Sequence, residues 1–161
     1  MFNLKAEFYL KIILLFSFVA LIFAFFIEYI LGHQPCNLCL IERIPYGLSI
    51  MIIMAIFLIR KNQKFLVMLL ILTFVFSFAI SFYHFGIEQG FFQESSVCGL
   101  KSSTEIVTKK DLLKQLSEKT ISCKDVTFRI FGLSLTSINI VISLMFIITL
   151  LKIFKKYEKN K

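Results

Sequence analysis

Four long apolar runs constrain this chain before anything else does. They extend from Tyr9 to Ile30, Ile41 to Ile59, Phe65 to Phe85 and Phe131 to Leu151. A helix that crosses the hydrocarbon core of a bilayer needs roughly 20 mostly apolar residues. Lipid offers the backbone no hydrogen-bond partner, so each spanning segment must satisfy its own N–H and C=O groups, which selects helices. The runs are apolar on all sides rather than along one stripe, and too long for buried strands. With 58% hydrophobic residues and a mean hydropathy of +0.83 over 161 residues, the chain exceeds what a soluble domain of this size carries. The expected fold is all-α integral membrane: one domain over residues 1–161, a four-transmembrane-helix bundle with a long loop at 86–130. The first run is expected to be retained, because it is too long for a signal peptide and no small-x-small cleavage site follows it.

Lysine and arginine near the helix ends set orientation. Lys5 and Lys11 lie at the amino end, Arg60, Lys61 and Lys64 between the second and third runs, and Lys152, Lys155, Lys156, Lys159 and Lys161 in the tail. Few acids accompany them. In the 86–130 loop the basic residues are offset by Glu88, Glu94, Glu105, Asp111, Glu118 and Asp125. Both termini are therefore expected in the cytoplasm and the long loop outside. The net charge of +8 reads as a topology signal, and no nucleic-acid partner is expected because the basic residues flank spans. Within the loop, Thr108-Lys109-Lys110-Asp111 precedes Leu112, Leu113 and Leu116. A capping-box-like start and leucines on one face suggest a short amphipathic helix on the membrane surface; a plain turn is the competing reading, since isolated helices under ~12 residues are marginal.

The chemistry lies in four cysteines: Cys36 and Cys39 in a CxxC, Cys98 and Cys123 in the loop. All fall on the outward side, which implies an oxidising, periplasm-like compartment and a bacterial inner membrane. Pro35 suits the first turn of a helix. A helix starting there puts Cys36 and Cys39 on one face at i, i+3, where the positive end of the helix dipole favours the thiolate. Arg43 follows Cys39 at i+4 on the same side. Pro45 cannot donate to the carbonyl of Ile41, so the regular helix begins either near Pro35 or only near Pro45. Glu42 points to another face and reads as structural. His84 and Glu88 are spaced i, i+4; His84 is either an interfacial polar residue or a proton relay. Glu28, Gln34 and Asn139 receive no role.

Two other readings of the cysteines compete. An all-thiolate zinc site is disfavoured, because Cys98 and Cys123 lack the close spacing of a second half-site. A purely stabilising Cys98–Cys123 disulfide, worth about 3 kcal/mol on the chain-entropy view, stays open. Two dithiols at one membrane face can instead pass electrons between a soluble protein and a molecule dissolved in the bilayer.

Pro35-Cys36-Asn37-Leu38-Cys39-Leu40-Ile41-Glu42-Arg43-Ile44-Pro45-Tyr46 resembles the signature of the disulfide bond formation protein B (DsbB) family. Tyr83-His84-Phe85-Gly86-Ile87-Glu88-Gln89-Gly90 ahead of Cys98, and Phe131-Gly132-Leu133-Ser134-Leu135 after Cys123, resemble its next two blocks. The resemblance implies a quinone-dependent protein-disulfide oxidoreductase that accepts electrons from a periplasmic DsbA-like thiol oxidase and passes them to ubiquinone or menaquinone. By correspondence, Cys98 forms the mixed disulfide with the partner, Cys123 resolves it, and Cys36–Cys39 takes the electrons. Cys39 is then the thiolate that reacts with the quinone, Arg43 holds a quinone oxygen, and His84 lies near the quinone. Because the loop disulfide opens at every turnover, it is expected to be unburied. A DsbI-like oxidase for one dedicated partner is the alternative within the family, and a non-catalytic membrane protein with structural disulfides the alternative outside it. The vitamin K epoxide reductase arrangement fits less well, because its CxxC lies near the last helix and this one opens the second.

Overall fold

Backbone that must bond to itself in lipid produces five helices among the described residues of the computed structural model, which are 4–59, 62–93, 98, 123, 129–130 and 133–159. They are α1 (Leu4–Tyr29), the short α2 (Asn37–Ile41), α3 (Ile44–Leu58), α4 (Gln63–Glu88) and α5 (Leu135–Lys159). Four helical segments are long and apolar enough to cross a membrane: Ala6–Tyr29, Asn37–Leu58, Gln63–Glu88 and Leu135–Lys156. The expected all-α membrane fold is therefore present.

Several boundaries differ from those read in the sequence. Helix α4 runs to Glu88, so His84 and Glu88 lie inside it; Gly90, at φ +78°, then turns the chain out. The last helix starts at Leu135 rather than 131. Ser134 Oγ accepts the Ser137 N–H at 3.2 Å and caps the helix, while Leu133–Ser134 (β2) pairs antiparallel with Arg129–Ile130 (β1). The break between α2 and α3 follows from Pro45, which sits in the first turn of α3. The amphipathic helix expected at Thr108–Leu116 lies outside the described residues.

Short links join α1 to α3 and α3 to α4, and one buried cluster unites Leu10, Ile56, Val67 and Leu150, so the start of α1, the α3–α4 link and the end of α5 share one end of the bundle. There Leu10, Ile56, Val67, Leu150 and Ile153 close a dry core, and the Lys64 ammonium lies 5.3 Å from the Phe154 ring centroid. Toward mid-bundle, Phe74 meets Phe146 edge-on at 5.0 Å. Small hydroxyl residues let the helices approach: Ser49 bonds Ser17 at 2.9 Å, tying α3 to α1, and Ser143 bonds Ser77 at 3.2 Å, tying α5 to α4. Phe8, Leu15, Met51, Leu72 and Met145 are exposed on the outside. That surface suits lipid rather than water.

Gly86 fixes how α4 leaves the bundle at the opposite end. Its carbonyl accepts from Phe91 N at 2.8 Å and from Phe92 N at 3.1 Å. The Phe92 ring lies where a Cβ on Gly86 would sit and stacks on Tyr83 at 5.7 Å. Gly86→Ala is expected to displace Phe92 and cost about 1–2 kcal/mol, read as a lower thermal midpoint in detergent. An unchanged midpoint would show that Phe92 moves aside freely.

Candidate active site

The site begins with a local capping event. Cys36 precedes α2 in an extended conformation, and its Sγ accepts the Cys39 backbone N–H at 3.3 Å. One helical turn therefore brings the two sulfurs together, 2.8 Å apart and unbonded. The short helix anticipated from Pro35 exists, and the break anticipated from Pro45 exists as well. Cys36 is buried and Cys39 half-buried.

The two thiols face different surroundings. Cys36 packs in one buried cluster with Leu38, Ile87 and the loop pair Cys98 and Cys123. Those two are disulfide-bonded, with Cα atoms 5.5 Å apart. They are only 4% and 2% exposed. The expectation that this disulfide lies unburied is thus overturned. Its place in the cluster of Cys36, Leu38 and Ile87 removes it from solvent.

Cys39 packs against the same cluster and also lines a cavity of about 360 Å³ between α1 and α5. The walls are apolar, from Phe16, Val19, Phe23 and Ile27 of α1 and Ile138 and Ile142 of α5. The polar residues gather at one end: Cys39, Glu42, Arg43, Tyr46, Thr136 and Asn139. Val19 and Phe23 are exposed on the lipid-facing exterior, so the cavity borders that surface. This volume lies in the usual range of small-molecule sites. An apolar trough with hydrogen-bonding groups at one end fits a ring bearing carbonyl oxygens and an apolar tail, so the residues present fit a quinone.

Arg43 lines the same cavity as Cys39 and is held in place by α1. Its guanidinium pairs with Glu28, reaches the Ala24 carbonyl at 3.5 Å and lies 5.3 Å from the Phe25 centroid. Glu28, which received no role from the sequence, is thus the counter-ion of Arg43. A glutamate near the end of an apolar run is itself a signal, because a charge there needs a partner.

His84 does not line the cavity; it lies behind Cys36. Its Nε2 is 3.6 Å from Cys36 Sγ, and its Nδ1 is 2.9 Å from Glu42 Oε1. Thr136 Oγ1 stands 3.3 Å from the same Nδ1 and donates to Glu88 Oε1 at 2.7 Å. Glu88 Oε2 is buried without a hydrogen-bond partner among the described residues. Glu42 does not point to another face, as the sequence reading expected, but lines the cavity with Cys39 and Arg43. The chain tightens after α2, where Arg43 N bonds the Leu40 carbonyl at 3.2 Å, and Glu42 points inward. Its second oxygen accepts from Asn139 Nδ2 at 3.2 Å. Asn139 also donates to Ser81 at 2.7 Å and accepts from the Tyr46 hydroxyl. Gln34 joins the cavity wall.

These contacts make Cys36 the acidic thiol. The Cys39 side chain first, then the His84 ring and the Cys39 N–H, lower it from the ordinary thiol range, against the opposing effect of burial. The helix-dipole argument treated the two cysteines alike; the side-chain partners separate them. Cys36, Cys39 and His84 also place their ligand atoms within 4.8 Å of one another, close enough to hold one metal ion. The bonded loop pair rules out the four-thiolate site in this state.

Comparison with known proteins places these features in context. A family model described as "Disulfide bond formation protein DsbB" matches residues 6–153. An uncharacterized protein, RP370, of Rickettsia prowazekii (strain Madrid E) is 31% identical over 147 residues, covering 90% of this chain and 86% of the relative. No solved structure matches the chain.

Proposed function

Because the chain belongs to the disulfide bond formation protein DsbB family, a family of disulfide-bond-forming membrane oxidoreductases, we propose that it reoxidises a DsbA-like thiol oxidase and passes the electrons to ubiquinone or menaquinone. One observation carries this reading: the loop disulfide shares one buried cluster with Cys36, while Cys39, packed against that cluster, also faces a cavity bordering the lipid-facing surface. The two dithiols are thereby in series between a loop and a lipid-soluble acceptor.

Electrons enter through the loop pair: a partner thiolate attacks Cys98, Cys123 leaves as the thiolate, and the partner's second thiol breaks the mixed disulfide, so the partner departs oxidised and Cys98 and Cys123 are left as thiols. The reduced loop pair then exchanges with the Cys36–Cys39 disulfide. Attack falls on Cys36, the sulfur in the loop cluster, and Cys39 leaves. Arg43, fixed by Glu28 and Phe25, presents a permanent positive charge at the polar end of the cavity. Such a charge favours negative charge developing on an oxygen bound there. A bound quinone supplies a two-electron sink that respiration can refill. The apolar walls from α1 and α5 keep water from the sulfur. The basic cluster at the other end of the bundle supports an inner-membrane orientation with both termini cytoplasmic and all four cysteines periplasmic.

The test is ubiquinone-1 or menadione reduction by purified protein in detergent, followed by ultraviolet absorbance, with a reduced DsbA-like protein as donor. Catalytic loss of the quinone band is the expected result. Folded protein that turns over neither quinone with this donor would sink the reading and favour a dedicated partner.

A further inference from the structure

We propose that Glu42 hands a proton to the acceptor in the cavity, receiving it from Cys36 through His84. The inference rests on the quinone reading just given and names a proton route distinct from the electron route. In the overall step, Cys36 and Cys39 lose two S–H bonds and form one S–S bond. Two electrons and two protons leave the thiols, and two O–H bonds form on the quinone. Cys39 lines the cavity and can deliver its own proton directly. Cys36 does not line it, so the proton this acidic thiol sheds to His84 needs a carrier onward.

The carrier is laid out in the hydrogen bonds. His84 Nε2 faces Cys36 Sγ at 3.6 Å, and Nδ1 faces Glu42 Oε1 at 2.9 Å. An imidazole that takes a proton at one nitrogen can release one at the other. Glu42 is the next member and lines the cavity. Its side chain is only 11% exposed, and its second oxygen is steadied by Asn139. Around His84, the other titratable groups are Glu88, 3.9 Å from Nε2, and the Cys36–Cys39 pair; Thr136 faces it from α5. Around Glu42 stand Cys39 and Tyr46 on the same wall and Arg43 beside it. Arg43 does not give up its proton and is engaged with Glu28. His33 also lines the cavity from the α1–α2 link, which makes it the competing donor.

Two measurements separate the possibilities. The first needs no quinone: infrared difference spectra between the Cys36–Cys39 disulfide and dithiol forms of quinone-free protein. A carboxyl band should change on reduction, vanish in Glu42→Gln and persist in Glu88→Gln. No carboxyl change in the wild-type protein overturns the proposal even if Glu42→Gln fails to fold. A band lost in Glu88→Gln instead overturns it too. The second is single-turnover reduction of ubiquinone-1 across pH. Glu42→Gln should slow it about 10²-fold and flatten the pH profile, with partial rescue by Glu42→Asp. A wild-type rate and profile in Glu42→Gln, or flattening in His33→Gln instead, overturns it. Failure of wild-type protein to reduce any quinone sinks the functional reading, while the infrared result still decides whether Cys36 and Glu42 share a proton.

Discussion

Cys39→Ser is expected to abolish quinone reduction, by on the order of 10³-fold or more, while the Cys98–Cys123 disulfide still forms. A serine hydroxyl cannot form or break an S–S bond, and Cys39 is the cysteine that lines the cavity. The variant should also accumulate a link between Cys36 and a loop cysteine. Those residues share one buried cluster, and without Cys39 nothing resolves that link toward the cavity. Cys36→Ser should behave differently. It removes the exchange point with the loop but leaves Cys39 facing the cavity, so no link to the loop should build up. Non-reducing electrophoresis after thiol alkylation distinguishes the two, and quinone absorbance reports turnover. Cys39→Ser protein that keeps more than a tenth of wild-type turnover would show that electrons leave by another sulfur.

What the residues disclosed before the structure follows from which physical rules are local. Long apolar runs report spans regardless of tertiary context, so the bundle was legible. The i, i+3 spacing of Cys36 and Cys39 also depends only on one helical turn, and their pairing was legible too. Glu42 was misplaced because its direction was taken from a continuous helix, whereas the chain breaks between Ile41 and Ile44. The burial of Cys98 and Cys123 comes with their place in a cluster that also holds Cys36, Leu38 and Ile87, which no spacing rule encodes. Glu28 and Asn139 carry a signal of their own in the sequence. Each is a polar residue within or at the edge of a run that lipid should surround, and such residues usually meet a partner or line a site. Their partners, Arg43 and Tyr46, lie on other helices and were not deducible from periodicity. The start of the last helix was set by Ser134, a capping residue visible in the sequence but outweighed by the apolar residues around it.

Asn139→Leu is expected to destabilise the bundle by about 2–5 kcal/mol. Asn139 is where three helices meet in hydrogen bonds: α3 through Tyr46, α4 through Ser81, and its own α5 through Ser143 at 3.5 Å. Its amide also bonds Glu42 at 3.2 Å, next to the α2–α3 break. Leucine keeps the branched four-atom skeleton but is larger, so the loss of hydrogen bonds is joined by some crowding. The Tyr46 hydroxyl, Ser81 and one Glu42 oxygen would each lose a partner in a site water does not reach freely. A buried group left unsatisfied costs about 1–3 kcal/mol, and bonds between membrane helices average somewhat less, which sets the range. Tyr46→Phe alone should cost less, because Asn139 Oδ1 keeps Ser143. The double variant should then be less destabilised than the sum, with a coupling of about 1 kcal/mol. Thermal unfolding in one detergent, for all four proteins, measures this. An Asn139→Leu midpoint equal to wild type would mean that apolar packing alone aligns α3, α4 and α5, and that the polar seam serves the chemistry rather than the fold. A large loss without coupling to Tyr46 would place the cost on Glu42, the one charged group in the seam, and so on the route by which its carboxylate is held at the cavity.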